Sequence, residues 1–201
     1  MTRCAFCGAK SHYRDRHSGE YLCLEHARLE VVAAHPPGSG PPLTIRRAQA
    51  SDRGRIGELT NYFWDETTVD CFDRRYDVLD CPAFLACDGD AVVGQVSYAI
   101  ETDLGAMVLV GFILLPDYQG GGTGRALLDA ARDEALRRGL RRISLVTCND
   151  NLPALAFYQR YGFCLTGMDP GRVARDHAGD LIGLAGIPVR DEIRLAFEVG
   201  D

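Results

Sequence analysis

No run of apolar residues in this 201-residue sequence is long enough to cross a bilayer; the longest, 106–115, has about half the roughly 20 residues a spanning helix needs. Positive charge is also in deficit. Lys and Arg number 22 against 28 Asp and Glu, a net charge of -6, which argues against a nucleic-acid-coating protein and suits solubility and cationic small substrates. The start, Met1-Thr2-Arg3-Cys4, lacks the apolar core of a secretory signal. A cytoplasmic location with no membrane partner is therefore expected. Internal repeats are missing, and the only low-complexity stretch is short. In a reducing compartment the eight cysteines are expected as thiols or metal ligands rather than disulfides.

What is present falls into two parts. In residues 1–34, Cys4-Ala-Phe-Cys7-Gly8 and Cys23-Leu-Glu-His26 form two knuckles of metal-binding spacing. Three thiolates and one imidazole make a closed, tetrahedral, structural zinc site with no open position for catalysis. A hairpin turning at Ser18-Gly19 is expected between the knuckles. So short a segment cannot bury enough apolar area alone, and Zn2+ would supply the missing folding free energy. The module resembles rubredoxin-type zinc ribbons. Residues 35–42 hold four prolines and two glycines and read as a semi-rigid linker.

The second part, 43–201, reads as a mixed α/β (α+β) domain. Alternation at 43–47 predicts a strand, and Ser51-Asp52 caps a helix with Ile56, Leu59, Tyr62 and Phe63 on its apolar face. Residues 64–80 suggest a second short helix and a loop. Asp88-Gly89-Asp90 turns a hairpin between 83–87 and 91–100. The run at 106–115 reads as a buried central strand. Next comes a glycine-dense turn, then a helix with Leu127, Ala131 and Ala135 inward and Asp133–Arg137 and Glu134–Arg138 as outward i,i+4 pairs. A strand at 142–148, a helix at 152–161 ended by Gly162, and strands at 163–166 and 193–199 complete the sheet. Residues 168–191 are expected as a lid or a partly helical excursion. Cys71, Cys81, Cys87, Cys148 and Cys164 read as small buried hydrophobes.

The turn Gln119-Gly120-Gly121-Gly122-Thr123-Gly124-Arg125 can aim backbone N–H groups into one cavity backed by a helix N-terminus, an arrangement that binds phosphate. No Lys-Ser/Thr follows the glycines, which excludes a P-loop NTPase. Preceded by Pro116-Asp-Tyr, Gln119-x-x-Gly122-x-Gly124 resembles the first signature of the GNAT superfamily of N-acetyltransferases. Asn151-Leu-Pro-Ala154-Leu-Ala-Phe157-Tyr158-Gln-Arg-Tyr161-Gly162-Phe163 resembles the second. They stand in the family's order, one helix and one strand apart, and the resemblance covers 43–201.

That resemblance implies the GNAT fold, acetyl-CoA as co-substrate and direct transfer to a primary amine of a small molecule or peptide. It implies pyrophosphate contacts along Gln119 to Arg125, pantetheine pairing and an oxyanion donor along Phe112, Ile113 and Leu114, a pantetheine contact from Asn151, and Tyr158 as the acid that protonates the departing thiolate. It leaves room for a homodimer and for a ribbon that contacts protein or RNA. Two family positions for a general-base Glu hold Val108 and Val146. Glu66, Glu101, Asp103 and Asp150 are the nearby carboxylates, each also readable as a solvated surface charge. The missing base motivates the competing reading of a non-catalytic acyl-CoA-binding module docked through the ribbon.

Overall fold

The computed structural model describes residues 43–103, 105–176 and 181–200 in full, and of the first 42 residues only the backbone of two short strands, β1 (Tyr13–Arg14) and β2 (Tyr21–Leu22). These pair antiparallel, Tyr13 with Leu22 and Arg14 with Tyr21, on either side of the predicted turn. Cys4, Cys7, Cys23, His26, the linker and His177 lie outside the described residues.

The main body is a seven-stranded sheet in the order β10-β11-β9-β8-β7-β6-β3. Its strands are β3 (Thr44–Arg47), β6 (Ala83–Asp88), β7 (Ala91–Glu101), β8 (Ala106–Leu114), β9 (Arg142–Cys148), β10 (Cys164–Asp169) and β11 (Glu192–Glu198). All neighbours are antiparallel except β8 and β9. That pair is parallel because helix α2 (Thr123–Arg137) makes the crossover. The mixed sheet and its single βαβ unit match the sequence pattern. Among the described residues no helix is long and apolar enough to cross a membrane.

Strand β8 is buried on both faces, as its unbroken apolar run requires. Met107 and Leu109 join Leu127, Leu128, Ala131 and Ala135 of α2 and Tyr158 of helix α3 (Leu152–Tyr161) in one core. Val108 and Val110 join Ile56 of helix α1 (Arg53–Trp64), Cys71, Val78 and Leu85 in a second core on the other face. Gly139 and Gly162 follow α2 and α3 with φ of 71° and 125°, the left-handed half of backbone space that glycine enters at low cost.

Several expectations are corrected. Glu134 is 3 % exposed, not outward. It accepts from Arg137 Nε (2.8 Å), Arg138 Nε (2.6 Å) and Arg47 Nη2 (2.6 Å), tying α2 to β3. Arg137 therefore pairs with Glu134, while Asp133 pairs with Arg132. Tyr62 is 56 % exposed, and Thr60 takes the buried place instead because its hydroxyl donates to Ile56 O at 2.7 Å. Asp52 closes a 3-10 turn, Ala50–Asp52, ahead of α1, accepting from Gln49 N and from both Arg46 Nη atoms. Residues 64–80 form no second α-helix: β4 (Thr68–Cys71) and β5 (Arg74–Asp77) make a hairpin, and Val78–Asp80 a 3-10 turn. Cys164 is exposed because β10 is an edge strand, while Cys71 and Cys87 are buried as expected.

Candidate functional site

The site begins where β8 and β9 part. They pair from Ala106–Arg142 to Leu109–Leu145 and no further. Beyond that level β8 pairs only with β7, and β9 only with β11. The β7–β8 register jumps between Ser97–Gly111 and Tyr98–Leu109, leaving Val110 as an extra residue. Such a bulge bends its strand and increases twist. The result is a gap flanked by Phe112, Ile113 and Leu114 on one side and by 146–148 on the other.

The glycine turn closes one end. After the 3-10 turn Pro116–Tyr118, Gln119 N donates to Pro116 O at 3.0 Å and Gln119 Nε2 to Leu114 O at 3.0 Å. Gln119 thus ties the loop to the strand. The next backbone donor with a protein acceptor is Ala126 N, to Gly122 O at 3.0 Å. The N–H groups of Gly120, Gly121, Gly122, Thr123, Gly124 and Arg125 bond to no described residue. Gly120 and Gly122 hold φ of 78° and 92°, and a Cβ on Gly121 or Gly122 would meet nothing within 4 Å. A Cβ on Gly124 would sit 3.1 Å from the Phe157 ring, so this glycine lets α2 and α3 approach. Free N–H groups at a helix N-terminus favour an anion such as phosphate. Arg125 lies over the Tyr161 ring at 5.4 Å.

Tyr158 stands on α3, on the face of the sheet that carries α2. Its ring is 7 % exposed and packs among Phe112 (6.0 Å between centroids), Phe157 (5.3 Å) and Phe163 (5.5 Å). Burial pushes the phenol pKa up, so it stays protonated at neutral pH. Its hydroxyl hydrogen-bonds to no described residue. Asn151 caps α3, with Oδ1 accepting from Ala154 N at 3.3 Å. Phe112, Tyr158 and the glycine turn thus meet on one side of the gap.

The other face holds the two valines. Val108 is fully buried and Val146 packs beside it, so neither position carries a proton acceptor. The β4–β5 hairpin covers this face through Cys71. Its turn residues Phe72 and Asp73 have φ of 51° and 60°, the left-handed turn geometry that suits hairpins. Arg194 lies over the Phe72 ring at 5.6 Å, and Arg172 binds Asp73 at 2.7 Å. The late segment therefore meets the hairpin tip. It contains a short helix, α4 (Arg172–Asp176), and a tight turn in which Val189 N donates to Leu181 O and Gly183 N to Ile187 O. Asn149 fastens that turn by accepting from Arg190 N and Asp191 N and donating to Pro188 O, and Asp150 accepts from Leu184 N.

Of the nearby carboxylates, Glu101 accepts from Tyr76 Oη at 2.8 Å and pairs with Arg74. Asp103 pairs with Arg74, and Glu66 accepts from Thr68 Oγ1. A carboxylate missed by the sequence reading, Glu192, is buried on this face beside Arg194. Its only signal is alternation: Ile193, Leu195 and Phe197 belong to the α2–α3 core, which sends Glu192 and Arg194 the other way.

Comparison with known proteins agrees with this geometry. The sequence profile described as "Acetyltransferase (GNAT) family" matches residues 53–163. The chain is 34% identical over 116 residues to the uncharacterized protein YxbD of Bacillus subtilis, covering 56% of this chain and 70% of that one. It is 35% identical over 96 residues to N-alpha-acetyltransferase 30 of Schizosaccharomyces pombe, covering 45% and 63%. A Bacillus subtilis acetyltransferase solved in complex with CoA shares the fold at a TM-score of 0.60 and 19% identity, covering 79% of this chain and all of that one. The profile spans both the glycine turn and the Asn151–Phe163 signature, and the chain belongs to the acetyltransferase (GNAT) family.

Proposed function

We propose that the chain transfers the acetyl group of acetyl-CoA directly to a primary amine. The observation that carries this is the row of six N–H groups from Gly120 to Arg125 that bond to no described residue, opening beside Phe112 and Tyr158. That row would hold the pyrophosphate, and the unpaired part of β8 around Phe112, Ile113 and Leu114 would take the pantetheine arm and the carbonyl oxygen. The Asn151 amide nitrogen is left over from capping and would reach the arm. The related Bacillus subtilis structure contains CoA, which supports the ligand class.

Attack by the amine forms a tetrahedral intermediate, and Tyr158 gives its proton to the departing thiolate. A phenol raised by burial is a weak acid, but the same apolar surroundings also raise the thiol it must protonate. Tyr158→Phe removes only the oxygen. CoA release should fall about 100-fold with little change in acetyl-CoA affinity. Turnover equal to wild type would remove Tyr158 from the acid role.

A second reading, an acyl-CoA-binding module without catalysis, is favoured by the valines at 108 and 146. Wild-type protein that binds acetyl-CoA but releases no CoA with polyamines, amino acids, aminoglycosides or peptide N-termini would select it. For residues 1–34 we propose the closed zinc site of Cys4, Cys7, Cys23 and His26, with 43–201 as the transferase domain. Purified protein carrying less than about one zinc per chain would exclude it.

A further inference from the structure

Four carboxylates among the described residues are buried: Asp52, Glu134, Asp191 and Glu192. Three are held by two or more donors each. Asp52 takes Arg46 and Gln49 N, Glu134 takes three arginines, and Asp191 takes Arg190 Nε (2.9 Å) and Gly171 N (2.8 Å). Glu192 differs. Among the described residues its one hydrogen bond is from Arg194 Nε to Oε1 at 2.7 Å, and Oε2 accepts from none of them.

Its location is as particular. Glu192 is the first residue of β11 and lies directly opposite Cys148 of β9 on one side and Asp169 of β10 on the other. With Val110 counted as the extra residue of the bulge, the β8–β9 register carried forward from Leu109–Leu145 sets Thr147 level with Phe112 and Cys148 level with Ile113, within the gap. Strand alternation turns Glu192 to the face of Val146, opposite Tyr158. The charged and titratable groups around it are Arg194 on its own strand, Asp169, Arg172 of α4, Asp73 of the hairpin tip, Cys148 and Cys71. Burial first, and the Glu192 charge after it, push the Cys71 thiol up to about 12. Burial, Asp150 and Glu192 push the Cys148 thiol up to about 11. Both thiols stay protonated, so neither is a nucleophile or base at neutral pH. Arg194 also reaches Asp169 at 3.9 Å and stacks on Phe72, which fixes the Glu192 carboxylate in place.

We propose that Glu192 receives the acceptor's ammonium group and takes its proton, with Arg194 as the residue that positions it. The inference rests on the acetyl-transfer reading above and supplies the base that Val108 and Val146 cannot. The ammonium gives one proton to the Glu192 carboxylate, and its freed electron pair forms the C–N bond to the thioester carbonyl. When the carbonyl re-forms, the C–S bond breaks and its pair leaves on sulfur. The thiolate takes the Tyr158 proton, and the second proton on nitrogen returns to the Tyr158 oxygen. The proton on Glu192 passes to solvent. The acceptor enters from the hairpin face and the thioester from the α2–α3 face, so the reactants meet across the gap. A primary ammonium is the matching class, because a carboxylate with one free oxygen offers a compact acceptor for one small cation.

The test compares wild type with Glu192→Gln and Glu192→Asp, measuring acetyl-CoA affinity by calorimetry and CoA release against a primary amine across pH. Glu192→Gln should bind acetyl-CoA within about 2-fold of wild type, release CoA about 100-fold more slowly and lose the acid limb of the kcat/KM profile. Glu192→Asp should recover about 10-fold of that loss with a displaced acid limb. Turnover of Glu192→Gln within about 3-fold of wild type, with the same profile, would overturn the assignment. Should Glu192→Gln fail to fold, an unchanged acid limb in Glu192→Asp overturns it equally. A wild-type protein that binds acetyl-CoA but acetylates no amine defeats the transfer reading first, and this inference with it.

Discussion

The two faces of the sheet at the β8–β9 gap are built on different principles. On the α2–α3 face, local chemistry does the work: glycines at positive φ, an uncapped helix start, a tyrosine in a cage of rings. On the other face the walls come from distant parts of the chain, the β4–β5 hairpin and residues 170–192. They are joined by single contacts such as Arg172–Asp73 and Arg194–Phe72. A surface held by contiguous backbone is hard to vary. One held by a few exposed ion pairs is easy to vary, and that is the side where the acceptor would be chosen.

The contrast can be broken most forcefully at Glu134, which secures the α2 side. Glu134→Ala strands three arginines and should cost about 2–3 kcal/mol in denaturant unfolding, a figure kept modest because those arginines reach solvent. A loss below about 0.5 kcal/mol would mean that α2 is not anchored there. Next is the glycine turn. Gly122→Val forces a β-branched residue to φ 92° and should weaken acetyl-CoA binding about 10-fold or more by calorimetry, with the hairpin face untouched. Smaller still is Asp73→Asn at the hairpin tip. It should change unfolding free energy by less than about 0.5 kcal/mol, since Asp73 is 68% exposed in that ion pair. It should nevertheless move the acceptor's KM about 2- to 5-fold while leaving that of acetyl-CoA alone. An equal change in both would erase the distinction between the faces.

The pH response sharpens the same point. Arg137, then Arg47 and Arg138, hold Glu134 well below its ordinary 4.5, and Arg46 with Gln49 N lowers Asp52 from 3.8 to about 2. Folded values below unfolded ones mean that these carboxylates stabilise the fold fully above about pH 4.5. That stability is lost as pH falls through the folded values. Acid unfolding followed by circular dichroism should set in later for wild type than for Glu134→Gln.

Legibility followed the same division. The glycine turn, α3 with its Asn151 cap and Gly162 stop, the buried β8 and the parallel crossover were all readable, because each depends on residues within one turn or one strand. Gln119 was only half readable: its place in the loop was plain, but its N–H and amide donate to Pro116 O and Leu114 O, so the free donors begin at Gly120. Glu134 was misassigned because the i,i+4 rule finds Arg138 and cannot see Arg47, which arrives from β3. The hairpin at 68–77 was missed because its turn residues are Phe72 and Asp73, without the glycine that usually marks positive φ.

By itself the sequence determined the βαβ unit, the phosphate-suited turn and the capped helix α3, because glycine freedom, helix capping and apolar periodicity act over a few residues. Only the tertiary structure decided what faces what. It separated β8 from β9 beyond Leu109, brought Phe72 against Arg194, and buried Glu192, with Oε2 accepting from no described residue, on the side opposite Tyr158. Those outcomes depend on strand order and register, which residues far apart in the sequence settle together through sheet pairing and packing.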